Sequence, residues 1–193
     1  MSARPLPLFP LNTVLFPGGR LSLRVFEPRY LDLVRDCTRQ SGSFGICLIL
    51  DGEEVGAPAL PAACGCEARI VDFAVTDGGL LAITVQGERR FHVLHTRVRD
   101  NGLIAAEVEW LAEIPIAKIR PEHQLLALLL AKLLDRASIG YSNSELEDAD
   151  WVGWRMAEWL PLTTIERQAL LVEVDPHERL QRLVEHVPRF QAA

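Results

Sequence analysis

Prolines near the start of the chain constrain its fold most tightly. Leu6-Pro7-Leu8-Phe9-Pro10-Leu11 is an extended apolar run in which two residues lack a backbone donor. Proline fixes φ near −65° and cannot sit inside a helix, so this run predicts a strand, and an edge strand at that. Pro17-Gly18-Gly19 supplies the dihedral freedom of a turn. An alternating strand, Leu21-Ser22-Leu23-Arg24-Val25-Phe26, then leads into a helix opening at Glu27-Pro28-Arg29-Tyr30.

The same β character continues to about residue 113. Phe44–Leu50 is a short apolar run flanked by glycine, as a buried strand should be. Residues 51–63 carry acidic, Gly and Pro residues and read as a long loop. Three further strands are expected at Glu67–Val75, Leu80–Val85 and Arg90–Val98. Asp77-Gly78-Gly79 provides a hairpin turn between the first two. Asp100-Asn101-Gly102 turns the chain into another strand, Leu103–Leu111. One helix, Pro28 to Thr38, interrupts this half. Sequential hairpins with few long crossovers predict a closed or half-closed barrel.

From Pro121 the apolar period becomes helical. A segment to about Ala137 carries leucines on most of its circumference, which predicts the central helix of a bundle. A polar loop, Gly140 to Glu147, separates it from a second helix over Ala149–Leu160, stopped by Pro161. Thr163 with Glu166, and Asp175-Pro176 with Glu178, mark the starts of a third and a fourth. The fold class is therefore α+β: a β-barrel with one inserted helix over residues 1–113, then a four-helix bundle over 114–193. With no Ser/Gly linker between them, the halves are expected to pack together.

Composition excludes several functions. A net charge of −6 and a pI near 5.4 argue against nucleic acid and anionic membranes as partners. Such partners require clustered cations, and the densest basic spot is Arg89-Arg90. No secretory signal is visible. The longest apolar run, Leu125 to Leu134, contains Lys132 and is too short to cross a bilayer. Cys37, Cys47, Cys64 and Cys66 read as reduced thiols of a cytoplasmic protein.

Several motifs resemble the N-terminal, substrate-binding domain of the Lon ATP-dependent proteases. They are the Leu-Pro strand and Phe-Pro-Gly turn, Phe44-Gly45-Ile46, Ala68-Arg69-Ile70 and Gln86-Gly87-x-x-Arg90-Phe91. The C-terminal half adds Asp150-Trp151-Val152-x-x-Arg155-Met156-Ala157-Glu158-Trp159-Leu160-Pro161-Leu162 and Gln168-Ala169-Leu170-Leu171, followed by Asp175-Pro176-x-Glu178-Arg179-Leu180. The match runs over about residues 5 to 187. It implies a barrel of the PUA-like kind and a module that binds polypeptides for destruction but cuts nothing itself. A complete Lon protease also needs a G-x-x-x-x-G-K-[ST] phosphate loop and a Ser–Lys dyad. This chain has no Gly-Lys pair, and neither Lys118 nor Lys132 sits in a Lon-like catalytic motif. The expectation is a stand-alone, non-enzymatic Lon-type domain without cofactor.

No set of residues has catalytic or metal-binding spacing. Cys64-Gly65-Cys66 lacks a second ligand pair. His92 and His95, three apart on a strand, should face opposite sides. The residues that can grip a polypeptide are aromatic or cationic. Trp154 lies nearly opposite the Val152, Met156, Trp159 and Leu160 stripe of its helix, and Trp151 lies well off it. Each is either packed on a neighbouring element or an exposed aromatic anchor. Phe26 and Tyr30 carry the same alternatives. Arg29 and Arg90 either serve as surface charge or hydrogen-bond an extended backbone or carboxylate. The partner is then an unfolded or degron-bearing polypeptide, or alternatively a folded protein served by an adaptor.

Overall fold

The computed structural model describes residues 5–112 and 116–191. The chain forms two compact units, Met1–Ala112 and Glu113–Ala193. The architecture is α+β, with a mixed sheet in the first unit and helices in both.

The first unit contains β1 (Leu6–Leu11), β2 (Arg20–Val25), α1 (Pro28–Gln40), β3 (Phe44–Asp51), β4 (Leu60–Val75), β5 (Leu81–Val98) and β6 (Ile104–Trp110). The strand order is β2-β5-β4-β3-β1-β6, and β5 also pairs with β6. The pairings from β5 through β4, β3, β1 and β6 thus return to β5. β2 stands outside this circuit, paired to the first half of β5. Among the described residues only β1 and β3 run parallel; β2 and α1 supply the crossover that a parallel pair requires.

β1 is not an edge strand, which corrects the proline-based expectation. Leu6 and Pro7 pair with β6, whereas Leu8 to Leu11 pair with β3. Pro7 has a partner in register only on β6 and Pro10 only on β3, so at each proline one side of β1 is unpaired. The expected loop over 51–63 is also shorter, because β4 already begins at Leu60. Leu80–Val85 and Arg90–Val98 are one continuous strand, β5. It stays paired through Gly87 because the β4–β5 register absorbs irregularities at Cys66/Ala68 and Ile70/Asp72. A further shift at Val93/His95 brings His92 and His95 opposite Glu109 and Glu107. Those two residues are two apart on β6, so the histidines share a face, contrary to the simple alternation.

The core of this unit gathers Phe9, Tyr30, Leu33, Val34, Phe44, Ile46, Ile83 and Val85. α1 opens with Pro28 in its first turn and closes at Ser41, which takes a left-handed φ of 48°. The N–H of Gly42 then returns to the Cys37 carbonyl at 2.9 Å.

The second unit contains a 3-10 turn (Pro121–His123), α2 (Gln124–Arg136), α3 (Asn143–Leu146), α4 (Ala149–Trp159), α5 (Thr164–Val172) and α6 (Pro176–Gln191). The polar segment expected as a loop holds α3, one helical turn made by a capping box of Ser142 and Glu145. The leucine-rich α2 is not the surrounded helix. Leu126, Leu130 and Leu134 are buried, whereas Leu125 and Leu128 are 73% and 61% exposed. α4 takes the inner position instead, contacting both α2 and α6. Its Ala149, Val152, Gly153, Trp154, Met156 and Ala157 are all buried.

Candidate functional site

The first unit carries an open cleft of about 360 Å³ where β1, β2, α1 and the β3–β4 loop meet. Phe9 and Leu11 of β1 contribute apolar wall, and Ser22, Leu23 and Arg24 of β2 line another side. Phe26, Glu27 and Tyr30 come from the β2–α1 junction, and Glu54 with Val55 from the loop. Proline forces this geometry locally. Pro28 cannot continue β2, so the strand ends at Val25 and Phe26 is left at the turn into α1.

The floor is aromatic. The rings of Phe9 and Tyr30 stack with centroids 3.9 Å apart and an 8° interplanar angle, and Phe44 lies 6.1 Å from Phe9. Tyr30 is buried, and desolvation raises its hydroxyl pKa above the ordinary value, so it stays neutral. Phe26, by contrast, is 52% exposed at the rim. Val55 is exposed to the same degree on the facing loop. That loop is tied back at two points. Glu54 Oε1 accepts from the Asn12 N–H at 2.6 Å, and Glu27 Oε2 accepts from the Gly56 N–H at 3.4 Å.

The sequence candidates divide by position. Phe26 and Tyr30 both line the cleft, one exposed and one buried. Arg29 is buried beside it, where its Nη2 lies 3.0 Å from Glu27 Oε2 and its Nη1 donates to the Gly102 carbonyl at 3.3 Å. It braces the α1 entrance and stands 4.7 Å over the Tyr30 ring. Arg90 is buried in β5 opposite Cys66, away from the cleft lining. Trp151 is half-buried on α4.

Of the two alternatives for Trp154, packing on a neighbouring element is the one the structure shows. It is 6% exposed, with the Arg179 guanidinium carbon 3.4 Å from its ring centroid. Its position off the main stripe points it at α6 rather than at water.

Sequence reasoning missed Leu23, Arg24, Glu54 and Val55. The last two sit in a Gly- and Pro-rich segment whose only signal was an apolar residue among acids. Leu23 and Arg24 carry only the alternation of a strand.

The cleft combines apolar wall with two carboxylates, Glu27 and Glu54, each of which accepts a backbone N–H. Cys47 and Cys66 are buried, and desolvation pushes their thiols far above the ordinary value, so neither supplies a thiolate. Among the described residues, no three His, Cys, Asp or Glu side chains are placed to hold a metal ion. No described helix is long and apolar enough to cross a membrane.

Comparisons with known proteins agree on one kinship. The chain resembles the Lon protease of Anaeromyxobacter dehalogenans, with 31% identity over 130 residues, 66% of this chain and 15% of that protein. It is 27% identical over 195 aligned residues to Lon protease 2 of Myxococcus xanthus, covering 95% of this chain and 23% of that one. The chain therefore spans less than a quarter of the length of either curated relative. Among solved structures, a Lon N-terminal domain protein from Xanthomonas campestris superposes with a TM-score of 0.80 at 51% identity, covering 93% of this chain and 96% of that one. The N-terminal domain of the Mycobacterium avium complex Lon protease gives 0.68 at 25% identity over the same shares. The sequence model of one family covers residues 5–189, nearly the whole chain, and the protein belongs to that family, the ATP-dependent protease La (LON) substrate-binding domain.

Proposed function

We propose that this protein is a non-catalytic receptor for unfolded or degron-bearing polypeptide, and that the cleft beside Phe26 takes an apolar client side chain. In this reading the first unit is a PUA-like barrel, the second is a helical bundle around α4, and the chain works in the cytoplasm. The observation that carries it is a half-exposed phenylalanine rimming a 360 Å³ cleft with a stacked Phe9–Tyr30 floor. A recess of this size with an aromatic floor accepts one large side chain. Apolar burial contributes about 25 cal/mol per Å², so single-site affinity is modest once the client's ordering entropy is subtracted.

The test is binding of reduced, carboxymethylated model proteins and apolar peptides, followed by anisotropy. Dissociation constants of about 100 µM or tighter are expected, and Phe26→Ala should weaken them about tenfold. No binding at that concentration would sink the proposal. The exposed Leu125 and Leu128 on α2 favour a second reading, an adaptor contacting a folded partner. Capture of such a partner that survives Phe26→Ala but not Leu128→Glu would select it.

A further inference from the structure

We infer that the client binds as an added β-strand along the free edge of β2. In this arrangement, acidic side chains lie over Arg20 and Arg24 while an apolar side chain enters the cleft. The inference deepens the receptor reading and rests on it.

β2 is the one strand among the described residues with a single neighbour, running from Arg20 opposite Gln86 to Val25 opposite Leu81. In an antiparallel pair, alternate residues of the outer strand direct their N–H and C=O groups away from the partner. β2 therefore presents a row of backbone donors and acceptors that β5 cannot satisfy, which is the template for strand addition.

The cleft adjoins β2, with Ser22, Leu23 and Arg24 all among its lining residues. A strand added at the edge of β2 therefore lies beside the cleft, with alternate side chains on the face that Leu23 occupies.

Charge specifies the occupant. Arg20, Ser22 and Arg24 are exposed on one face, whereas Leu21 and Leu23 pack against the core on the other. None of the ion pairs among the described residues engages Arg20 or Arg24. Residues opposite one another across a ladder share a face. A segment that alternates acidic and apolar residues thus meets Arg20 and Arg24 on one side and Leu21 and Leu23 on the other, beside the cleft. Backbone pairing supplies sequence tolerance and the alternation supplies preference, which suits a receptor for many unrelated clients.

The experiment uses the full chain and four short labelled peptides followed by anisotropy. One alternates apolar and glutamate residues, and one replaces glutamate with lysine. The other two carry N-methyl groups on one or the other alternate set of amides in the first sequence. The glutamate peptide is expected to bind about tenfold tighter than the lysine peptide. One N-methylated set should weaken binding about tenfold and the other no more than about twofold, because only one set faces β2. The Arg20→Glu/Arg24→Glu variant should invert the charge preference while keeping its far-UV spectrum. If both methylated peptides bind like the parent, while Phe26→Ala still weakens the parent, strand addition is overturned and the cleft reading survives. If the arginines only guard the edge, their replacement by alanine produces self-association without altering peptide preference, and the inference is again overturned. Failure of the parent peptide and of unfolded proteins to bind removes both readings together.

Discussion

The guanidinium carbon of Arg179 stands 3.4 Å from the ring centroid of Trp154, and the arginine is fully buried. One cation on α6 is thereby joined to α4, to α5 and to the link between α5 and α6. It pairs with the Asp150 carboxylate on α4, donates through Nε to the Leu170 carbonyl at 3.3 Å, and donates through Nη2 to the Glu173 carbonyl. Its planar fork supplies these donors while one face remains against the indole. Arg179→Met is expected to destabilise the protein by about 3 kcal/mol, since Asp150 and two carbonyls lose their donor. Arg179→Lys should recover less than half, because a point charge cannot serve all three acceptors. Urea unfolding measures both.

Gly87 is a site of close backbone approach. A Cβ built there lies 2.2 Å from the Phe16 carbonyl oxygen, while the Gly87 N–H donates to the Gly19 carbonyl at 2.8 Å and its own carbonyl accepts from Gly18 N–H at 2.8 Å. Neither neighbour can retreat without breaking this reciprocal pair. Gly87→Ala is expected to cost about 2–3 kcal/mol. Gly140→Ala, where a Cβ meets nothing within 4 Å, should change stability by no more than about 0.5 kcal/mol. Equal losses in the two variants would refute the packing account.

Glu166 makes stability depend on acid. Hydrogen bonding from the backbone N–H of Thr163, with Arg189 as a second contributor, lowers its carboxyl pKa to about 2. The folded-state value lies below the unfolded one, so the contribution is fully present above the ordinary carboxylate range. It is lost as pH falls through that range toward about 2. Glu166→Gln should flatten the stability profile between about pH 4.5 and 2 and leave its shape unchanged above about pH 6. Denaturant midpoints across that range provide the check.

α2 presents two apolar faces with opposite consequences. Leu126→Ala removes a side chain that is 2% exposed and should cost about 3 kcal/mol. Leu128→Gln alters one that is 61% exposed and should change stability by less than about 0.5 kcal/mol. A comparable loss at Leu128 would show that this face is covered in solution.

The local features are legible in the residues themselves, because the signals that set them act over a few positions. Asp77-Gly78-Gly79 turns β4 into β5 through a left-handed Gly79 (φ 77°). Thr163 and Glu166 form the capping box that begins α5, and Asp175 Oδ1 accepts from His177 N–H at the head of α6. The motif order is sufficient to identify the family. What the residues alone leave undecided is which apolar face meets which neighbour. Trp154 and Leu128 have defined directions on their helices, yet burial depends on whether another helix lies there; α6 covers the first, and the second is left exposed. The cleft has the same origin, since it brings Phe9, Leu23, Tyr30 and Val55 together from four separate segments. Hydrogen-bond geometry and φ preferences are written into neighbouring residues, whereas cavities and covered faces arise from packing between distant ones.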